Sequence, residues 1–160
     1  MKKKALVAFY SLTGNTRFIA ETIRDTIDAD LLEIKSVKEY NPKGMSKYLW
    51  GGMQAVMSSK PILESINTDP NGYDLIFLGT PVWAWNISPP MRSFLENFNL
   101  SGKDVAIWLC SGRKTKDTFK NFKALMKDVN IVGQMNFIDP LKKDTAQIKE
   151  KAIEWAKSKI

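Results

Sequence analysis

Tyr10-Ser11-Leu12-Thr13-Gly14-Asn15-Thr16-Arg17 lies between a short apolar run, Ala5 to Tyr10, and a segment where Phe18, Ile19, Thr22, Ile23 and Ile27 recur at helical spacing. The stretch therefore reads as strand, turn and helix. The turn Ser11 to Thr16 offers hydroxyls, an amide and a glycine that lets the backbone wrap closely, and the opening helix adds its partial positive charge. Such a nest suits a phosphate. It lacks the lysine and glycine spacing of a nucleotide-hydrolysing GxxxxGK[ST] loop and the pattern of the GxGxxG dinucleotide turn, so a terminal monophosphate is the better guest. Taken alone, the hexapeptide also reads as an ordinary hydroxyl-rich turn capping a helix.

Outward from this point the apolar period alternates between strand and helix. Leu31 to Ile34 predicts a second strand, Tyr73 to Gly79 a near-continuous apolar strand covered on both faces, Val105 to Leu109 a fourth, and Ile131 to Ile138 a fifth. Pro89-Pro90 can open a helix with Met91, Phe94, Leu95 and Phe98 on one face, and Thr115 or Asp117 can cap the next, which carries Phe119, Phe122, Leu125 and Met126. A last helix spans about Thr145 to Lys159. Without linkers or repeats, the pattern predicts one α/β domain over residues 1–160, a three-layer α/β/α sandwich with right-handed crossovers. Ligands in such sheets sit at the carboxyl ends of the strands, near the switch in strand order. Ser11 to Thr16, Thr80 to Asn86 and Cys110 to Thr115 are the turns expected there.

Composition narrows the chemistry. With 160 residues, 44% of them hydrophobic and 26% charged, the chain can bury roughly two thirds of its unfolded surface. The single cysteine, Cys110, permits no internal disulfide, and no paired spacing suggests a metal centre, which fits a reduced, cytoplasmic protein. Complete absence of histidine removes the commonest general base and the Ser-His and Cys-His nucleophile pairs. No catalytic side chain is expected. Lys plus Arg exceeds Asp plus Glu by 24 − 17 = 7, so the surface favours anions, yet the lysines are spread rather than clustered with aromatics as in a nucleic-acid groove. Neither nucleic acid nor membrane is an expected partner. A phosphotyrosine-phosphatase loop would need Arg six places after Cys110, where Lys116 stands, and a receiver domain would need Asp where Tyr10 and Ser11 stand.

Ser11-Leu12-Thr13-Gly14-Asn15-Thr16 resembles the [ST]-x-T-G-x-T phosphate loop of flavodoxins. Gly79-Thr80-Pro81-Val82-Trp83-Ala84-Trp85-Asn86, followed by Pro89-Pro90-Met91, resembles the G-[TS]-P-x-[WY] loop beside the isoalloxazine ring in that family, and Cys110-Ser111-Gly112 its third flavin-contacting loop. The resemblance covers essentially the whole chain, and it implies a five-stranded parallel sheet in the order 2-1-3-4-5 with FMN held noncovalently at the switch point. In this reading Trp85, and second to it Trp83, offers an aromatic face to the flavin, while Thr80, Asn86 and Ser111 can bond ribityl or pyrimidine oxygens or serve as turn formers. Cys110 borders the cleft and is expected to pack rather than react. Lys43 to Pro61 is expected as a helix on the sheet, with a flavin cover or a self-association patch as alternatives.

Two departures bear on function. Soluble carriers of the family are usually acidic whereas this chain is basic, and Arg113 stands where many relatives carry a second glycine. Arg113 can sit over the flavin's N1–C2 edge or point to solvent. The resemblance implies flavodoxin-type electron transfer, with an NAD(P)H-dependent quinone or flavin reductase as the alternative. Partners would be redox proteins or a small electron acceptor, and the chain a monomer or weak homodimer.

Overall fold

A computed structural model describes residues 3–38, 59–115 and 117–160. Ala5–Phe9 forms β1, every residue of which is buried, and Asn15–Ile27 forms α1. After β2 (Asp30–Glu33) come β3 (Leu75–Trp83), the two-residue β4 (Asn86–Ile87), α2 (Pro89–Asn97), β5 (Asp104–Ser111), α3 (Thr118–Ala124), β6 (Asn130–Ile138) and α4 (Thr145–Lys157). The parallel strands lie in the order β2-β1-β3-β5-β6, with β4 folded back antiparallel on β3. With that short return strand set aside, this is the expected 2-1-3-4-5 sheet. The switch in direction falls between β1 and β3.

Two apolar cores cover the two faces. On one, Ile19, Ala20 and Ile23 of α1 and Ala152, Trp155 and Ala156 of α4 meet Val7, Phe9, Phe77 and Trp108. On the other, Met91, Phe94 and Leu95 of α2 and Phe122 of α3 meet Leu6, Ile76, Leu78, Ile107 and Leu109. Alternation along each strand sends neighbouring side chains to opposite helical layers, which is why these strands read as unbroken apolar runs.

β3 runs four residues beyond its expected end. Gly79 gives its carbonyl to the Tyr10 N–H on the β1 side at 3.1 Å, and two residues on, where β1 has ended, Pro81 faces that same side and needs no donor. Pro81 therefore stays in the strand, opposite Cys110 of β5. The expected turn from Thr80 to Asn86 is instead a strand end, a two-residue turn at Ala84 and Trp85, and β4, with Trp83 paired to Asn86. Residues 43–58 of the segment expected as a helix on the sheet lie outside the described residues. None of the helices among the described residues is long and apolar enough to cross a membrane.

Candidate flavin site

The loop after β1 is organised by Ser11. Its Oγ accepts hydrogen bonds from the N–H groups of Gly14 and Arg17, each at 3.2 Å, and so caps α1 from outside the helix. Gly14 takes φ +95°, a left-handed conformation that a side chain would strain. Among the described residues no acceptor meets the N–H groups of Leu12, Thr13, Asn15 and Thr16, and the first turn of α1 carries no acid. With its oxygen accepting twice, Ser11 keeps its hydroxyl proton to donate. Several donors at the positive end of a helix, with no carboxylate in its first turn, are the chemistry a phosphate dianion requires.

The remaining side chains of that loop divide. Thr13 is exposed and accepts from Asn15 Nδ2 at 3.3 Å, while Asn15 Oδ1 accepts from the Leu141 N–H at 3.1 Å. Thr16 is buried, and its hydroxyl bonds to Cys110. Burial pushes the Cys110 thiol up to about 12, partly opposed by that bond. Cys110 is thus a packed, protonated thiol. Arg17 turns away, paired with Glu33.

From the second loop, Thr80 is fully buried and its hydroxyl is spent on the fold. Its Oγ1 accepts from the Ser88 N–H at 3.1 Å and lies 2.8 Å from Ser88 Oγ, locking the hairpin to the start of α2. Asn86 is half-buried, its Oδ1 accepting from the Ile87 N–H at 2.9 Å. Trp83 is 8% exposed and meets Tyr10 edge-on, centroids 5.7 Å apart, inside the core. Trp85 is 44% exposed at the tip of the turn, where it and Ala84 both take positive φ, 64° and 46°. That is the pattern of a type I′ hairpin turn, here built without glycine. The backbone holds an exposed indole at the tip of this turn in a costly conformation.

In the third loop the Ser111 hydroxyl turns inward, 2.6 Å from the Arg113 carbonyl and 3.0 Å from Asn136 Oδ1, and holds the loop's shape. Gly112 and Arg113 are exposed. A cleft of about 100 Å³ gathers Leu12, Thr13, Asn15, Thr16, Pro81, Val82, Cys110, Ser111 and Gly112. Thr80, Trp83 and Trp85 do not line it, and the first two are buried in the fold. Asp139 and Pro140, in the loop after β6, also line the cleft, and sequence reasoning missed them. The Asp139 N–H donates to the Ser111 carbonyl at 3.0 Å, so this loop closes against the third. An Asp-Pro turn after the last strand was the available signal.

A donor loop at the carboxyl edge of a parallel sheet, beside its switch point, places the chain among the open, doubly wound α/β proteins. It belongs to the flavodoxin family, whose sequence pattern matches residues 4–152. An uncharacterized protein of Archaeoglobus fulgidus is 29% identical over 119 residues, which is 71% of this chain and 72% of that one. A provisionally assigned flavoprotein from Bacteroides eggerthii superposes with TM-score 0.79 at 22% identity, covering 98% of both chains. A Lactobacillus acidophilus flavoprotein, solved in complex with FMN, superposes with TM-score 0.69 at 26% identity, covering 89% of this chain and 97% of that one.

Proposed function

We propose that residues 1–160 form one flavin-binding domain that holds FMN and passes electrons in the manner of a flavodoxin. The observation that carries this reading is the set of unmatched donors in the Leu12 to Thr16 loop, at the mouth of a cleft formed where β1, β3 and β5 end. The N–H groups of Leu12, Thr13, Asn15 and Thr16, with the hydroxyls of Ser11 and Thr13, would bind the phosphate. Pro81, Val82 and Gly112 would border the ring system, and Trp85 would cover one face. Bound FMN supplies the ability to take up and release one electron or a hydride; the protein sets access and potential. No protein acid or base is needed, which suits a chain without histidine. Cys110, held protonated, stays out of the redox chemistry. Electrons would go to a redox protein or a small acceptor in the cytoplasm, from a monomer or weak homodimer.

The test is titration of the purified chain with FMN and with riboflavin, followed by stepwise reduction. Binding of about one FMN per chain in preference to riboflavin, and two resolved one-electron steps without NAD(P)H turnover, are expected. Equal affinity for riboflavin would remove the phosphate assignment, and steady NAD(P)H oxidation with a quinone would make the protein a reductase.

A further inference from the structure

The third loop and α3 form one basic surface beside the cleft. From Gly112 to Lys127 the sequence carries Arg113, Lys114, Lys116, Lys120, Lys123 and Lys127 against one acid, Asp117. Arg113, Lys114, Lys120, Lys123 and Lys127 are exposed, the first four on the third loop and α3 and Lys127 beyond the helix, beside Ser101 at the far edge of the sheet from the cleft. Phe122 is buried in the core and Phe119 packs partly against it, so α3 turns Lys120 and Lys123, three residues apart, to solvent. Among the described residues, no carboxylate pairs with any of these five cations, although other lysines and arginines make ion pairs with Asp104, Glu33, Asp25, Glu96 and Asp139. α3 also packs against β4, the return strand of the hairpin that carries Trp85. The helix that carries Lys120 and Lys123 therefore lies between the third loop, which precedes it, and the hairpin of the second.

We propose that this surface is the docking site for an acidic redox protein, which approaches the cleft along α3. Unpaired cations around an electron-exchange edge attract an anionic face over about one Debye length, raise the encounter rate and orient the partner, at little cost in desolvation. A helix of two turns does not provide the long groove or the row of stacking aromatics that nucleic acid uses. That the partner carries electrons rests on the electron-transfer reading above. The sign of its charge rests on this surface alone.

The experiment titrates the full chain, loaded with FMN, against an acidic two-iron ferredoxin, basic cytochrome c and a single-stranded oligonucleotide. Binding is read by NMR shifts, and flavin reduction by reduced ferredoxin is read separately by stopped flow. Ferredoxin is expected to bind at low salt with shifts at Lys114, Lys120 and Lys123. Its affinity should fall about tenfold or more in Lys120→Glu/Lys123→Glu and on raising salt, with FMN affinity unchanged and cytochrome c not bound. Absence of ferredoxin binding, binding indifferent to the double reversal, or tighter binding of the oligonucleotide overturns the proposal. Charge-dependent ferredoxin binding without flavin reduction keeps the acidic docking surface and overturns the electron-transfer reading.

Discussion

Gly79 of β3 lies under the indole of Trp108 on the neighbouring β5: a Cβ placed on Gly79 would fall 1.9 Å from Trp108 Cζ2 and 2.0 Å from Cε2. The glycine that opens Gly79-Thr80-Pro81 is thus fixed by packing, since any side chain there would occupy the space of a buried ring. Gly79→Ala should destabilise the fold by about 1–3 kcal/mol, the usual cost of overpacking, read as a lowered urea midpoint. Trp108→Leu should relieve the clash, so a double-mutant cycle is expected to show coupling. Additive losses would mean the strand yields instead.

Trp108 Nε1 is buried without a hydrogen-bond partner among the described residues. Trp108→Phe removes that unsatisfied donor, worth about 1–3 kcal/mol, while leaving a small void. Its stability should therefore fall much less than the ~3–5 kcal/mol of a large aromatic truncated to alanine, and denaturant unfolding of Trp108→Phe beside Trp108→Ala measures the difference.

Ser11 joins fold to function through the two N–H groups it accepts from. Ser11→Ala should cost about 0.5–2 kcal/mol of stability through the lost cap and weaken FMN more than riboflavin. Thr13→Val should weaken FMN by roughly 1.5–3 kcal/mol if its exposed hydroxyl bonds to phosphate, with stability unchanged. Thr16→Val should act chiefly on stability, because its hydroxyl faces Cys110. Calorimetric titration of both flavins beside thermal unfolding separates these outcomes.

The central strands β1, β3 and β5 were legible because both faces of the sheet are covered there, and burial on both faces leaves an unbroken apolar run, while the strand order was implied by the resemblance to flavodoxins. The end of β3 was not. Thr80-Pro81 carries turn chemistry, and Pro81 is tolerated in the strand because β1 stops two residues earlier, a fact of pairing that no local window contains. The first loop was legible as a donor nest, but Ser11's place as cap, and the commitment of the Thr80 and Ser111 hydroxyls to Ser88 and Asn136, depend on partners fixed by the fold. The fourth wall of the cleft was missed for the same reason. Asn15 meets Leu141 across 126 residues of sequence.

Cys110 links stability to alkaline pH. The folded state keeps the thiol proton to about pH 12, whereas the unfolded chain loses it near its ordinary value of 9.0, so within that window the unfolded state binds fewer protons. Its contribution is fully present below pH 9 and declines as pH rises, with a slope approaching about 1.4 kcal/mol per unit. Cys110→Ala should show a shallower decline than the parent between about pH 9 and 11, since subtracting the two profiles cancels lysine titration. Matching profiles would mean the thiol opens to solvent before unfolding.

Trp83 and Trp85 are two residues apart, yet they play opposite parts. Trp83 is sealed edge-on against Tyr10, so Trp83→Leu should lower stability, while Trp85 stands 44% exposed on a turn whose positive φ values cost about 1–3 kcal/mol each. Ala84→Gly should therefore stabilise the protein slightly with flavin affinity retained. An indole stacked on flavin is quenched, so adding FMN to the apoprotein should reduce tryptophan fluorescence, and the reduction should shrink more in Trp85→Leu than in Trp155→Leu. Oxidised flavin is electron-poor and gains more than reduced flavin from an electron-rich face. Trp85→Leu should then raise the two-electron potential, while Trp83→Leu should leave it nearly unchanged once its stability loss is offset by saturating FMN. If quenching and potential match the parent in Trp85→Leu, the turn holds its strained indole for some purpose other than covering the ring.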